Sequence, residues 1–157
     1  MNQFLGENIV KVVFDSAATD TSDAANITVT AHPLGVYIPD NAIVIDAFYD
    51  VITTFTSAGD TATIALKVNG ANDLVTAIAI NDATNPWDGG VHVTLAGSPA
   101  IGSNATSLDS GTNILYAGTI AESQIKLTAA REVTATVGTQ ALATGKLNLY
   151  IIYILSE

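Results

Sequence analysis

The side chains best able to do chemistry are two imidazoles, His32 in Ala31-His32-Pro33 and His92 in Val91-His92-Val93. A nucleophilic relay needs a histidine between a hydroxyl and an orienting carboxylate. Serines and aspartates abound, yet their spacing singles out no partner for either ring. Both rings read as surface or interface histidines. Asp15, Asp20 and Asp23 cluster between the first two expected strands; a calcium loop would converge several such oxygens within about 2.6 Å of an ion, and the EF-hand spacing is missing. Solvated loop charge is the expectation for them. Asp46 and Asp50 share a strand face about 13 Å apart, too far to act as a carboxylate pair on one bond. Gly145-Lys146 lacks both the earlier glycine and the following Ser or Thr of a phosphate loop, and neither a dinucleotide fingerprint nor a His-x-x-x-His pair occurs. With no cysteine, thiol nucleophiles, thiolate zinc sites and disulfides are excluded. No catalytic residue, metal ligand or cofactor is assigned; a hydrolase would depend on His92.

Binding chemistry is easier to locate. The segment Asn85-Pro86-Trp87-Asp88-Gly89-Gly90-Val91-His92 sets the only tryptophan among turn residues. There it is either an interface anchor, a sugar-stacking platform or a plug closing one end of the fold. Phe4-Leu5 either packs back on the domain or forms an N-terminal arm, residues 1–8, that docks on a neighbour. From Ala96 to Ser123 the chain is rich in Gly, Ser, Asn and Thr, and only Ile114-Leu115-Tyr116 is apolar enough to order it. Connections this long are uncommon and often ordered by a partner. Phe4, Leu5, Trp87, His92 and Tyr116 are therefore the candidate partner contacts.

The elements that must position these residues are strands. Of 157 residues 48% are hydrophobic and 13% charged, enough for one domain with its own core. Period-two alternation marks Thr61 to Val68, with Ala62, Ile64, Leu66 and Val68 facing inward, and shorter runs at Ile9 to Phe14, Ile27 to Ala31, Ile125 to Ala129 and Val133 to Val137. From Ala42 to Thr56, Ile43, Ile45, Ala47, Tyr49, Val51 and Phe55 share one face; the other mixes Asp46, Asp50 and Thr54 with Val44, Phe48 and Ile52, which suits a bend or a second contact surface. Leu147 to Leu155 is apolar on both faces and belongs inside a sheet or against another subunit. Asn72 to Ile80 fits a capped helix or a strand, and strand is the reading adopted. Turns at Ala58-Gly59-Asp60, Asn69-Gly70, Asp88-Gly89-Gly90 and Gly145 separate the runs. About eight strands and no long helix predict an all-β, two-sheet β-sandwich over residues 9–157, a jelly roll in preference to an immunoglobulin-like module, with a long loop at about 96–123.

Charge narrows the partners. Fifteen acidic against five basic side chains give a net charge of −10, which repels phosphate backbones and anionic lipid, so neither nucleic acid nor membrane is expected. The longest apolar run, Leu149 to Leu155, has seven residues. Met1 to Glu7 shows no secretion leader, so the glycosylation-like triplets at Asn26 and Asn104 read as chance.

In overall style the chain resembles the small virion structural proteins of tailed bacteriophages, especially cyanobacterial and marine phages, which are commonly head decoration (cement) proteins. The stretches that carry the resemblance are Val36-Tyr37-Ile38-Pro39-Asp40-Asn41-Ala42-Ile43-Val44, Tyr49-Asp50-Val51-Ile52-Thr53-Thr54-Phe55-Thr56, Ala71 to Ile80 and Thr128 to Val137. The resemblance implies a non-enzymatic β-sandwich on the outer surface of the capsid, bound to the major capsid protein and to itself as a homodimer or homotrimer. The rival is a carbohydrate- or receptor-binding sandwich of a tail or fibre, with Trp87 stacking on a sugar.

Overall fold

Alternation of apolar and small polar side chains becomes strand along most of the described chain. The structure is a computed structural model that describes residues 6–69, 74–94 and 125–156. Its strands are β1 (Asn8–Asp15), β2 (Ala31–Ile38), β3 (Ala42–Ser57), β4 (Thr63–Lys67), β5 (Val75–Ala79), β6 (Gly90–Thr94), β7 (Ile125–Lys126), β8 (Arg131–Gly138) and β9 (Leu142–Leu155), with no helix among the described residues. One sheet runs β1-β9-β3-β6 and the other β2-β8-β4-β5, with every pairing antiparallel. Setting aside the two-residue β7, the other eight strands pair first with last, second with seventh, third with sixth and fourth with fifth. That is one long antiparallel hairpin rolled up so that its strands alternate between two sheets, the jelly-roll form of the β-sandwich.

Between the sheets lies a single apolar layer. Val12 and Phe14 of β1, Ala47, Tyr49, Val51 and Phe55 of β3, and Leu147, Leu149 and Ile151 of β9 meet Ile64 and Leu66 of β4 and Val133, Ala135 and Val137 of β8. The inward set expected for β4 is the buried one, and the apolar strand β9 lies inside its sheet between β1 and β3. Asn72 to Ile80 contains a strand, β5.

Two expectations shift. Along β3 the inward phase is not continuous: Ala42 and Val44 are buried, a register shift falls between Val44 and Asp46, and burial resumes at Ala47. An extra residue at the bulge turns Ile43 and Ile45 off the core face. Ile27 to Thr30 is no strand. Thr28 closes a turn with both its N–H and its hydroxyl donating to the Ala25 carbonyl, so β2 starts at Ala31 and Ile27 and Val29 stay exposed. The long loop expected at about 96–123 lies outside the described residues.

Strand β7 continues the sheet edge where β6 stops. Thr94 pairs with Ala47 and Ile125 with Val44, so both hydrogen-bond to the same side of β3.

Candidate functional site

Both histidines lie at the ends of one line of rings through the core. His32 sits 6.1 Å from Phe14, Phe14 stacks on Phe55 at 5.8 Å, Phe55 meets Trp87 edge-on at 6.1 Å, Trp87 lies 5.4 Å from Tyr49, and Tyr49 stacks on His92 at 5.2 Å. Contacts of this geometry add to the stabilisation from apolar burial. The histidines are thus well separated, their ring nitrogens bond to Asp20, the Thr28 carbonyl and the Asp88 carbonyl, and among the described residues no hydroxyl bonds to either ring. Burial pushes the Tyr49 hydroxyl above its usual range; it donates to the Pro86 carbonyl at 3.0 Å.

His32 is a correction to the surface reading, since it is fully buried. Its Nδ1 lies 2.8 Å from Asp20 Oδ2 and its Nε2 2.9 Å from the Thr28 carbonyl oxygen. Both partners present acceptor oxygens to the ring. Asp20 likewise departs from solvated loop charge: its side chain is closed to solvent, and its Oδ1 accepts from the Ser22 hydroxyl and from the backbone N–H groups of Ser22 and Ala24. The Ser22 hydroxyl, assisted by His32 and the two N–H groups, holds this carboxyl well below the usual carboxylate range against the opposing effect of burial. Burial of the pair ties the loop of residues 16–30 to β2. Among the described residues no three His, Asp or Glu side chains are placed to hold a metal.

A pH dependence follows. With its folded-state pKa below the unfolded value of about 3.9, Asp20 contributes stability that is complete above that value and is lost as pH falls through the folded one. Urea midpoints measured at several pH values should place Asp20→Asn below the wild type at pH 7, with the gap closing towards pH 2. A gap that stays constant with pH would show that the carboxylate charge is not what holds the loop.

The candidate contacts fare unequally. Trp87 is completely buried; its Nε1–H donates to the Ile78 carbonyl at 3.1 Å, and the Phe55 N–H donates to the Trp87 carbonyl at 3.1 Å. It is the plug that joins β5 of one sheet to β3 of the other. With no exposed surface it is neither an interface anchor nor a sugar platform, which takes away the residue that favoured the carbohydrate-binding rival. His92 is partly exposed at the edge strand β6. Phe4, Leu5 and Tyr116 lie outside the described residues.

What the fold does assemble is an apolar face that neither parent strand revealed alone. Side chains pointing away from the core of the β1-β9-β3-β6 sheet fall into register: Ile9, Ile152 and Asp46 in one row, Lys11, Tyr150 and Phe48 in the next, Val13, Asn148, Asp50 and Val91 in a third. Ile154 and Ile43 extend it at one end, and Ile52 at the other. Phe48 and Tyr150 stack at the centre, ring centroids 4.9 Å apart. Ile9, Val91 and Ile52 are 65%, 68% and 52% exposed. The opposite face of the sandwich is unlike it: on β4 Lys67 pairs with Thr134, Ala65 with Thr136 and Thr63 with Gly138 of β8, and Glu132 accepts from the Tyr37 hydroxyl and the Gly35 N–H. Large apolar faces of the first kind mark contact surfaces. The mixed face of residues 42–56 and the doubly apolar run at 147–155 were both legible as contact surfaces, and the pairing of β3 with β9 merges them.

No protein-family model matches the chain, and no curated protein matches it in sequence. Solved structures do. The chain is similar to one in the acidic stable capsid structure of Helicobacter pylori bacteriophage KHP30, with a TM-score of 0.55 at 12% identity over 96% of this chain and 89% of that one. A chain in the capsid of Ralstonia phage GP4 aligns with a TM-score of 0.53 at 18% identity, over 100% and 90%. One in the capsid asymmetric unit of cyanophage Pam1 aligns with a TM-score of 0.51 at 15% identity, over 99% and 91%. At these identities the likeness is one of fold.

Proposed function

We propose that this chain is a non-enzymatic decoration (cement) protein of a phage virion, one that binds the outer surface of the capsid and stabilises the head by bridging neighbouring major capsid proteins. One observation carries the reading: the three capsid chains are matched over nine-tenths of their own length as well as nearly all of this one. The match runs along nearly the full length of each of those chains, so the likeness is not confined to one part of them. A sandwich of this kind can add contact area across a seam between capsomers, which needs affinity and no chemistry. A net charge of −10 suits the exterior of a head better than its DNA-lined interior. Phe4 and Leu5 on an N-terminal arm, Tyr116, and His92 at the exposed edge are the proposed capsid contacts, with avidity over the lattice reinforcing each.

The test mixes purified protein with decoration-free capsids and images the pelleted heads by electron cryomicroscopy. Saturable density at fixed lattice positions on the outer surface is the expected result; bare heads, or density confined to the tail, would overturn the proposal. A chain lacking residues 1–5 is expected to fold normally and bind heads more weakly. Equal binding would remove the arm from the account.

A further inference from the structure

The two sheets have four edge strands, β1 and β6 in one and β2 and β5 in the other. An open edge invites a further strand, and short length, proline and breaks of register are what normally close it. Strand β2 carries Pro33, whose carbonyl accepts from the Thr21 N–H at 3.2 Å, and it shifts register between Pro33 and Tyr37. Strands β5 and β6 have five residues each. Strand β1 is different: its eight residues keep an unbroken register with β9 and include no proline. The Ser16 N–H donates to the Gly145 carbonyl at 2.9 Å, so back along β1 it is Phe14, Val12 and Val10 that exchange hydrogen bonds with β9. The N–H and C=O groups of Ile9, Lys11 and Val13 point the other way, and among the described residues nothing bonds to them. This outer edge is covered at Asp15, where the Asn26 side-chain amide and the Ala18 N–H both donate to the Asp15 carbonyl.

We infer that the open edge of β1 takes an extended segment of the major capsid protein as an added strand, bonded through its backbone to Ile9, Lys11 and Val13. The identity of the partner rests on the decoration role proposed above. The surroundings of the edge set what the segment must look like. Its outward side chains lie beside Ile9, Lys11 and Val13, two exposed apolar groups flanking one positive charge. Its inward ones cover Val10 of β1 and Leu34 and Val36 of β2, which are only partly buried where these two edge strands face each other. At the Asp15 end a cleft of about 360 Å³, lined by Val13, Asp15, Thr19, Thr21, Pro33 and Leu34, has space for a large side chain. A proline-free run with apolar residues at alternate positions and a carboxylate opposite Lys11 fits all of this. Lys11 tells against a second copy of this chain, because the antiparallel register that sets Ile9 opposite Val13 also sets Lys11 opposite Lys11.

The test binds the full chain to decoration-free heads and follows amide hydrogen exchange at single residues. The N–H groups of Ile9, Lys11 and Val13 are expected to exchange freely in the unbound protein and to slow at least about tenfold on heads, whereas those of Val10, Val12 and Phe14 are held by β9 in both states. Lys11→Pro removes one outward donor and spares the β9 ladder, in which the Lys11 N–H takes no part. It is expected to weaken head binding at least about tenfold. Lys11→Thr keeps the donor and should bind as the wild type does. Circular dichroism shows whether the proline variant folds; if it does not, the exchange pattern decides alone. Heads that bind the wild type while Ile9, Lys11 and Val13 exchange as in the free chain would overturn the inference, and so would a folded Lys11→Pro that binds undiminished. Slowing of the same amides in the free chain as its concentration rises would give the edge to a second copy instead. Heads that stay bare overturn the decoration role and this partner with it, which keeps the two failures distinct.

Discussion

Trp87→Ala is expected to lower the free energy of unfolding by about 3–5 kcal/mol, the range for removing a fully buried tryptophan. The indole has no exposed surface and packs between Tyr49 at 5.4 Å and Phe55 at 6.1 Å, so neither neighbour can fill the void without giving up its own contacts. Its loss also leaves the Ile78 carbonyl without the 3.1 Å bond from Nε1, and an unpaired buried acceptor is itself destabilising. A domain with a typical stability of about 5–15 kcal/mol would survive this with little in reserve. Trp87→Phe keeps most of the ring and loses the hydrogen bond, so its destabilisation should be the smaller. Urea unfolding followed by circular dichroism measures both, with an unchanged m-value showing that the denatured state is not what moved. An alanine variant as stable as the wild type would mean that the ring does not close the sandwich. Because the indole offers nothing to a partner, Trp87→Phe should attach to heads as the wild type does.

Strand identity and sandwich architecture were legible because period-two patterns are local: Ala62, Ile64, Leu66 and Val68 declare a face without reference to anything outside their own strand. Interruptions of that period were not. The bulge after Val44 inverts which of Ile43 and Val44 is buried, and it arises from how β3 lies against β9, far along the sequence. The turn at Thr28 outweighs the alternation of Ile27 and Val29 because one threonine satisfies the local backbone better than a strand would there. Strand β6 carries no clear strand signal because its start, Gly89-Gly90, reads as turn.

Chemistry was harder to place than fold for a related reason. Asp20 and His32 look like loop charge and a surface ring until the chain folds back over the segment between them, and only then does each have the partner that lets it be buried. Trp87 admitted an internal role from its turn-rich context, but nothing local decided between plug and platform; that needed β3 and β5 on either side of the ring. The apolar outer face was half visible, since Phe48 and Ile52 on one strand and Tyr150 and Ile152 on another were each out of place in a solvated position. Their register was needed to show that they form one surface.

Gly145→Ala is expected to destabilise the fold by about 2–6 kcal/mol, summing backbone strain and overpacking. Gly145 has a φ of +145°, a conformation that L side chains rarely adopt, and a Cβ built there would clash with Cδ1, Cε1 and Cγ of the Phe55 ring. The ring cannot retreat: Phe55 is buried, stacked on Phe14 on one side and set against Trp87 on the other. Here β9 gives up a side chain so that an aromatic from β3 can lie across its backbone, close to two of the register shifts between these strands. The two contributions separate in a double-mutant cycle with Phe55→Leu, which opens the space but leaves φ unchanged. Alanine at 145 should then be tolerated better in the Phe55→Leu background than beside Phe55, with a coupling of about 1–3 kcal/mol in urea unfolding. Strict additivity would assign the whole effect to the backbone, and a neutral Gly145→Ala would mean that β9 does not pass beneath the Phe55 ring.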